Sequence, residues 1–314
     1  PGAWDFPDVD PQKYALREVQ LDTWGGFIFI NPDPRARPLA EHLGSMPQHF
    51  ASWPLDRRFT LWHVQKTIAC NWKVAMEAFL ESYHVVQTHP QALSSVAEHA
   101  TQYDIFDEGA AQFSRLITPT GIPSKHAKNP SALGAIGDVW AILNGLRQDQ
   151  AEGLPPEIKD RASLAAWRRQ VLGEMTRADY SSVPDAEMLD SVQYWLFPNF
   201  CPWFGEGLPL TYQFRPNADS ADTCYMDVWM LVRAPDEGPA PPAAKIVKLA
   251  ADQHFEPVIG AMGTIFDQDD FNMPQVQIGL RSWPGDPEGL TLSRYQESRI
   301  RFFHQVLVRH LAQP

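Results

Sequence analysis

The chain has 314 residues, 44% of them hydrophobic and 20% charged, with a formal net charge of −12. A chain of this size can bury a substantial core as one large domain or two ordinary ones, and its acidity (pI about 5.2) argues against a nucleic-acid partner, since the clustered Lys and Arg that phosphate binding needs are not seen. No apolar run reaches the roughly 20 residues of a membrane helix, and there is no signal-peptide pattern. The three cysteines Cys70, Cys201 and Cys224 form neither a paired framework nor a metal knuckle, so a cytoplasmic location is expected.

In chain order, alternation from Tyr14 to Leu21 followed by "WGGFIFINPDP" predicts a strand pair, and "RFTLWHVQKTIAC" (58–70) a third strand. From Asn71 to His89 the apolar residues take helical spacing, and Pro90 marks the end. A hairpin is expected over 102–108 and 111–118. Helices are expected over 133–148 and 157–178, separated by "AEGLPP" and resembling an insertion. The aromatic run "QYWLFPNFCPWF" (193–204) precedes two strands, 209–216 and 223–233, around the turn "NADSAD". Helices are then expected at 244–254, 256–282 and 292–311. This order predicts an α+β domain, an antiparallel sheet with helices on one side and an apolar cavity between the layers.

"ESYHVVQTHP" carries two histidines five residues apart, about 140° out of line on an unbroken helix. His84 and His89 can converge on one ion only if the helix distorts or ends. An isolated pair of this kind more often sits exposed or partly buried on the polar side of an amphipathic helix. A third candidate ligand lies in "IFDQDDFNMPQVQIGL", where the residues alone leave Asp267, Asp269 and Asp270 open and a helix-dipole role is the plain alternative. Two imidazoles and a carboxylate facing an apolar cavity suit non-haem Fe(II) with open positions for O2. No cysteine lies near to complete a structural zinc site.

Four motifs in order, "TWGGFIFIN", "NWKVAMEAFLESYHVVQTHP", "YWLFPN" and "FDQDDFNMPQVQIGLRS", resemble the α subunits of the Rieske-type non-haem iron aromatic-ring-hydroxylating oxygenases. The resemblance implies His84, His89 and Asp270 as iron ligands, with Asp269 one position away as the other candidate. It also implies Glu81 as the hydrogen-bonding bridge for electrons from a neighbouring subunit. Where some members carry Asn near the iron, this chain has Ala78. The implied fold is an antiparallel sheet wrapped around a long C-terminal helix, the helix-grip or START/Bet v1-like arrangement. The [2Fe-2S] cluster of such proteins is held by Cys-x-His and Cys-x2-His pairs, and this sequence has none. The expected organisation is therefore residues 1–37 as the tail of a region following a Rieske domain, and 38–314 as the catalytic domain with a helical insertion around 130–180. The implied partners are O2, a ferredoxin or NAD(P)H-dependent reductase, and further subunits in a homotrimer (α3 or α3β3).

Candidate substrate contacts are Phe79, Val85, Phe197, Phe200, Trp203 and Phe266, each of which core packing alone can explain. Their number favours an apolar or aromatic substrate, with a quaternary ammonium in an aromatic cage as the alternative within the family. The alternative of another class is a START-like carrier of hydrophobic ligands without redox chemistry.

Overall fold

The computed structural model describes residues 3–5, 8–147, 153–218, 220–285 and 289–312. The predicted helix end at 148, the first two residues of "AEGLPP" and Asp219 of the "NADSAD" turn lie outside them. The first strand pair is a hairpin, β1 (Gln20–Trp24) with β2 (Phe27–Asn31). Gly25 and Gly26 both have positive φ, 61° and 81°, as a two-residue turn matched to strand twist demands.

Eight further strands build one sheet: β3 (Arg58–Ile68), β4 (Gln102–Glu108), β5 (Ala111–Thr118), β6 (Ser191–Leu196), β7 (Phe200–Phe204), β8 (Leu210–Asn217), β9 (Ser220–Arg233) and β10 (Ile246–Leu249). Their order is β10-β3-β9-β8-β7-β6-β5-β4, antiparallel throughout except for the parallel pairing of β10 with β3. β10 occupies part of the segment expected to be helical at 244–254. Ile246 and Val247 suit a strand, and the open edge of β3 supplies backbone partners that the Ala- and Lys-containing sequence does not advertise.

Ten α-helices accompany the strands among the described residues: α1 (Leu39–Leu43), α2 (Met46–His49), α3 (Trp72–Glu77), α4 (Val85–Thr88), α5 (Ala132–Leu143), α6 (Arg161–Thr176), α7 (Asp185–Leu189), α8 (Glu256–Ile259), α9 (Ala261–Ser282) and α10 (Ser298–Leu311). None is long and apolar enough to cross a membrane. Strand alternation divides the sheet into two buried faces. One carries Val64, Ile68, Trp195, Trp203, Tyr212 and Phe214, and packs against Val74 and Met76 of α3, Phe266 and Met273 of α9, and Phe302 and Phe303 of α10. The other carries Phe113, Tyr194, Leu196, Phe200 and Phe204 beneath Leu43, Met46 and Phe50, with Trp24, Phe27 and Phe29 of the hairpin. Helices therefore cover both faces rather than one. The residues around 130–180 form a third cluster, in which Ile136 and Val139 of α5 meet Leu164 and Leu172 of α6.

Candidate metal centre

The predicted helix over 71–89 is interrupted. Asn71 caps α3, its side chain accepting from the Lys73 N–H at 3.0 Å, and after Glu77 the chain runs as a strap over 78–84 before α4 begins. His84 precedes the first residue of α4 and His89 follows its last, where φ is −123° and Pro90 starts a 3-10 turn. The two imidazoles so escape the 140° offset of a continuous helix, and their ring centroids stand 5.3 Å apart.

The acids of α9 divide by rotation, 100° per residue. Asp267 accepts from the backbone N–H groups of Phe255 (2.7 Å) and Glu256 (3.1 Å), tying down the start of α8. Asp269, 3% exposed, turns to the histidines: its Oδ1 lies 3.0 Å from His89 Nε2 and 3.8 Å from His84 Nε2. Asp270 turns away to the buried ammonium of Lys66 at 3.2 Å. The carboxylate beside the histidines is thus Asp269, and the placement of Asp270 there by resemblance is corrected by the phase of α9. Burial pushes the Asp270 carboxyl above its ordinary range, against the pull of Lys66.

His84, His89 and Asp269 each offer one ligand atom, all within 4.8 Å of one another. Ligand atoms about 2.1 Å from an ion and at right angles lie about 3 Å apart; the 3.0 Å pair of His89 and Asp269 has that spacing, and the 3.8 Å pair of His84 and Asp269 lies within the span of two such bonds. The Nδ1 atoms are engaged elsewhere. His84 Nδ1 donates to Glu81 Oε1 at 2.8 Å and His89 Nδ1 to Gln268 Oε1 at 2.8 Å, which leaves both Nε2 lone pairs for the metal. Gln91 donates to the same Gln268 oxygen at 2.7 Å and steadies it. Glu81 also caps the turn, its Oε2 accepting from the N–H groups of Tyr83 and His84. Burial opposes charge on His84, but the hydrogen bond and charge of Glu81 and then the charge of Asp269 outweigh it, raising the pKa to about 9.

The aromatic candidates separate. Phe79, on the strap, sits 5.1 Å from Tyr212, 5.5 Å from Phe214 and 6.5 Å from Phe266, ring to ring. Trp203 shares that face of the sheet, 5.5 Å from Tyr212. Val85 lies on α4 between the histidines, partly buried. Phe200 points to the opposite face, 4.8 Å from Phe27 and 5.6 Å from Phe29, because strand neighbours alternate. Phe197 stacks on His310 of α10 at 4.3 Å. Neither of these two joins the aromatic group around Tyr212. That ring was missed, although the alternation of 209–216 marks it as inward. Its hydroxyl is held well above the ordinary tyrosine range by burial and by the charge of Asp269. Beside His84 an open cleft of about 510 Å³, lined also by Thr88, Thr264 and Phe271, gives access from the surface.

Residues 47–313 match the family model of the ring-hydroxylating α subunit, catalytic domain. The chain belongs to this family. It is the family of the Rieske non-haem iron oxygenases, which are oxidoreductases. Among curated proteins the chain is similar to the glycine betaine monooxygenase oxygenase subunit of Pseudomonas aeruginosa, 33% identical over 107 residues, which are 33% of this chain and 24% of that protein. It is also similar to the carnitine monooxygenase oxygenase subunit of Escherichia coli K12, 32% identical over 92 residues, 28% of this chain and 24% of that protein. The anthranilate 1,2-dioxygenase large subunit of Burkholderia cepacia is 29% identical over 87 residues, 26% of this chain and 20% of that one. The matched stretches thus span about a quarter of these relatives or less. Two solved structures share the fold. Naphthalene 1,2-dioxygenase with indole bound has a TM-score of 0.57 at 14% identity, covering 99% of this chain and 68% of that one. A quaternary ammonium Rieske monooxygenase with gamma-butyrobetaine has 0.53 at 14%, covering 98% and 65%.

Proposed function

We propose that this chain is the catalytic part of a terminal oxygenase that hydroxylates an apolar, aromatic substrate at a mononuclear Fe(II) held by His84, His89 and Asp269. The observation that carries the reading is the convergence of two Nε2 atoms on one buried carboxylate, with both Nδ1 atoms already committed. Bound Fe(II) supplies the place at which O2 is reduced, with electrons from NAD(P)H through a reductase, with or without a ferredoxin, and a Rieske cluster.

The protein's own residues do the rest. Glu81 and Gln268 keep each imidazole in the tautomer that presents Nε2. Phe79, Trp203, Tyr212 and Phe266 form a buried aromatic group on the sheet face that α9 covers, and this apolar surface is what favours a flat apolar substrate. Glu81, hydrogen-bonded to a ligand histidine, is our candidate for the electron bridge to a neighbouring subunit in a trimer. The residues before 38 are then the tail of a Rieske-containing region. The packing of Phe302 and Phe303 of α10 on Trp195 supports a helix-grip description of the fold. The three free, buried cysteines accord with a cytoplasmic setting.

A second reading is favoured by the names of two curated relatives, whose substrates are quaternary ammonium compounds, a class of cation that aromatic rings such as those around Tyr212 also suit.

The test is anaerobic Fe(II) loading of the chain and of His84→Ala, followed by metal analysis. Near-stoichiometric iron lost in the variant supports the oxygenase reading. A folded wild-type chain that takes up no iron refutes it and leaves a ligand carrier as the better description.

A further inference from the structure

Two cations in the core have no accessible surface, and each grips one of the segments that carry the metal ligands. Lys66 of β3 is 0% exposed. Its ammonium meets Asp270 at 3.2 Å, the carbonyls of Ala250 and Ala251 at 3.3 Å each, and the carbonyl of Gln253. Arg299, in the first turn of α10, is likewise 0% exposed and has no carboxylate partner among the described residues. It donates to Ser114 Oγ (2.9 Å), to Gln193 Oε1 (2.9 Å) and to the carbonyl of Leu80 (3.2 Å), in the strap just before Glu81. The next strap residue but one is held from the same side: the Ser82 N–H donates to Tyr103 Oη at 3.0 Å, and Ser82 Oγ pairs with Thr118 at 2.8 Å.

Burying a charge is costly unless its partners are well placed, so these contacts resist displacement. On α9 the consequence is rotational. Asp269 and Asp270 are 100° apart, and keeping Asp270 on Lys66 fixes the azimuth at which Asp269 meets the histidines. On the strap the consequence is translational. The helix is broken over 78–84, and the Leu80 carbonyl and the Ser82 N–H take their bonds from Arg299 and Tyr103 instead of from a helix.

We propose that Lys66 and Arg299 are positioning residues of the metal centre, Lys66 setting the rotation of α9 that presents Asp269 and Arg299 holding the strap that presents Glu81 and His84. The inference rests on the iron-site reading above. Loss of groups that orient ligands typically costs 10- to 100-fold in metal affinity.

The experiment is anaerobic Fe(II) titration, with the EPR spectrum of the nitrosyl adduct as a readout of ligand geometry, on wild type, Lys66→Met and Arg299→Met. Arg58→Met is the control. Arg58 is also buried and ion-paired, to Glu206 at 2.5 Å, but it stacks on Trp53 in the core of the opposite face. The expected result is iron affinity weakened about 10-fold or more and an altered EPR signal in the two test variants. The control loses thermal stability with iron affinity and spectrum unchanged. Should the methionine variants not fold, Asp270→Asn and Tyr103→Phe take their place, and Arg299→Lys is expected to restore part of the affinity. Test variants that bind iron like wild type, or a control that weakens iron binding in step with its stability, overturn the proposal. A wild-type chain that binds no iron overturns the iron-site reading itself.

Discussion

Exchanging the roles of two adjacent acids provides the sharpest test of the site. Asp269→Ala removes a carboxylate whose oxygen lies 3.0 Å from His89 Nε2, whereas Asp270→Ala removes the partner of Lys66. Structural zinc sites gain roughly 10–16 kcal/mol from four ligands, or roughly 3 kcal/mol per ligand, which corresponds to on the order of 100-fold in Kd. Asp269→Ala is therefore expected to weaken Fe(II) binding by about that factor. Asp270→Ala leaves all three ligand atoms in place but strands the Lys66 ammonium, and breaking a buried pair costs about 3–5 kcal/mol of stability. It is expected to lower the unfolding midpoint sharply while weakening iron by only about 10-fold. Anaerobic iron titration and chemical denaturation, run on both variants, separate the two effects. The opposite ranking of iron affinities would refute the assignment of Asp269 and the rotation of α9 on which it depends.

Other outcomes follow from the same geometry. His84 in the metal-free chain has a pKa raised from the ordinary 6.5 to about 9. The stability it contributes is fully present below pH 6.5 and lost as pH rises through about 9, so the metal-free chain should become easier to denature across that window. In Glu81→Gln that slope should flatten, and an unchanged slope would remove Glu81 as the cause. Phe266→Ala empties a buried position between Phe255 and Tyr212, and is expected to cost about 3–5 kcal/mol in urea denaturation. Phe200→Ala should cost a similar amount yet leave iron affinity within twofold, because its ring faces the hairpin; a large loss of iron would contradict its placement. Chelating the metal from an iron-loaded sample held at 100 times Kd should lower stability by about 2.7 kcal/mol, measured as a drop in melting temperature.

The local sequence carried much of this. Two histidines five residues apart, an acidic triplet, and glycines at the hairpin tip have strong local signatures, whereas the break over 78–84 that brings the histidines together has none. The strands at 58–70, 102–118 and 209–233 were legible because alternation is a property of a few consecutive residues. Lys66 was not legible as a buried group. A lysine in an alternating strand reads as solvent-facing, and nothing nearby in sequence reveals the acid from α9 that covers it. Arg299, in the charge-rich stretch "SRYQESRIRFF", likewise carries no local sign that it is buried.

What tertiary structure alone decided was direction. Sequence spacing says that Asp267, Asp269 and Asp270 point three different ways, but which one meets the histidines depends on the rotation of α9 as a body, held by a lysine some 200 residues earlier. Phe200 and Trp203 are equally aromatic and only the parity of β7 against β6 and β8 assigns one to each face. Within the segment expected to be helical at 244–254, Ile246–Leu249 became a strand, because an edge of β3 had backbone groups to satisfy. Residue identity determined the chemistry available to this protein. Long-range packing, which fixes the phase of each helix and strand, decided which of those groups meet.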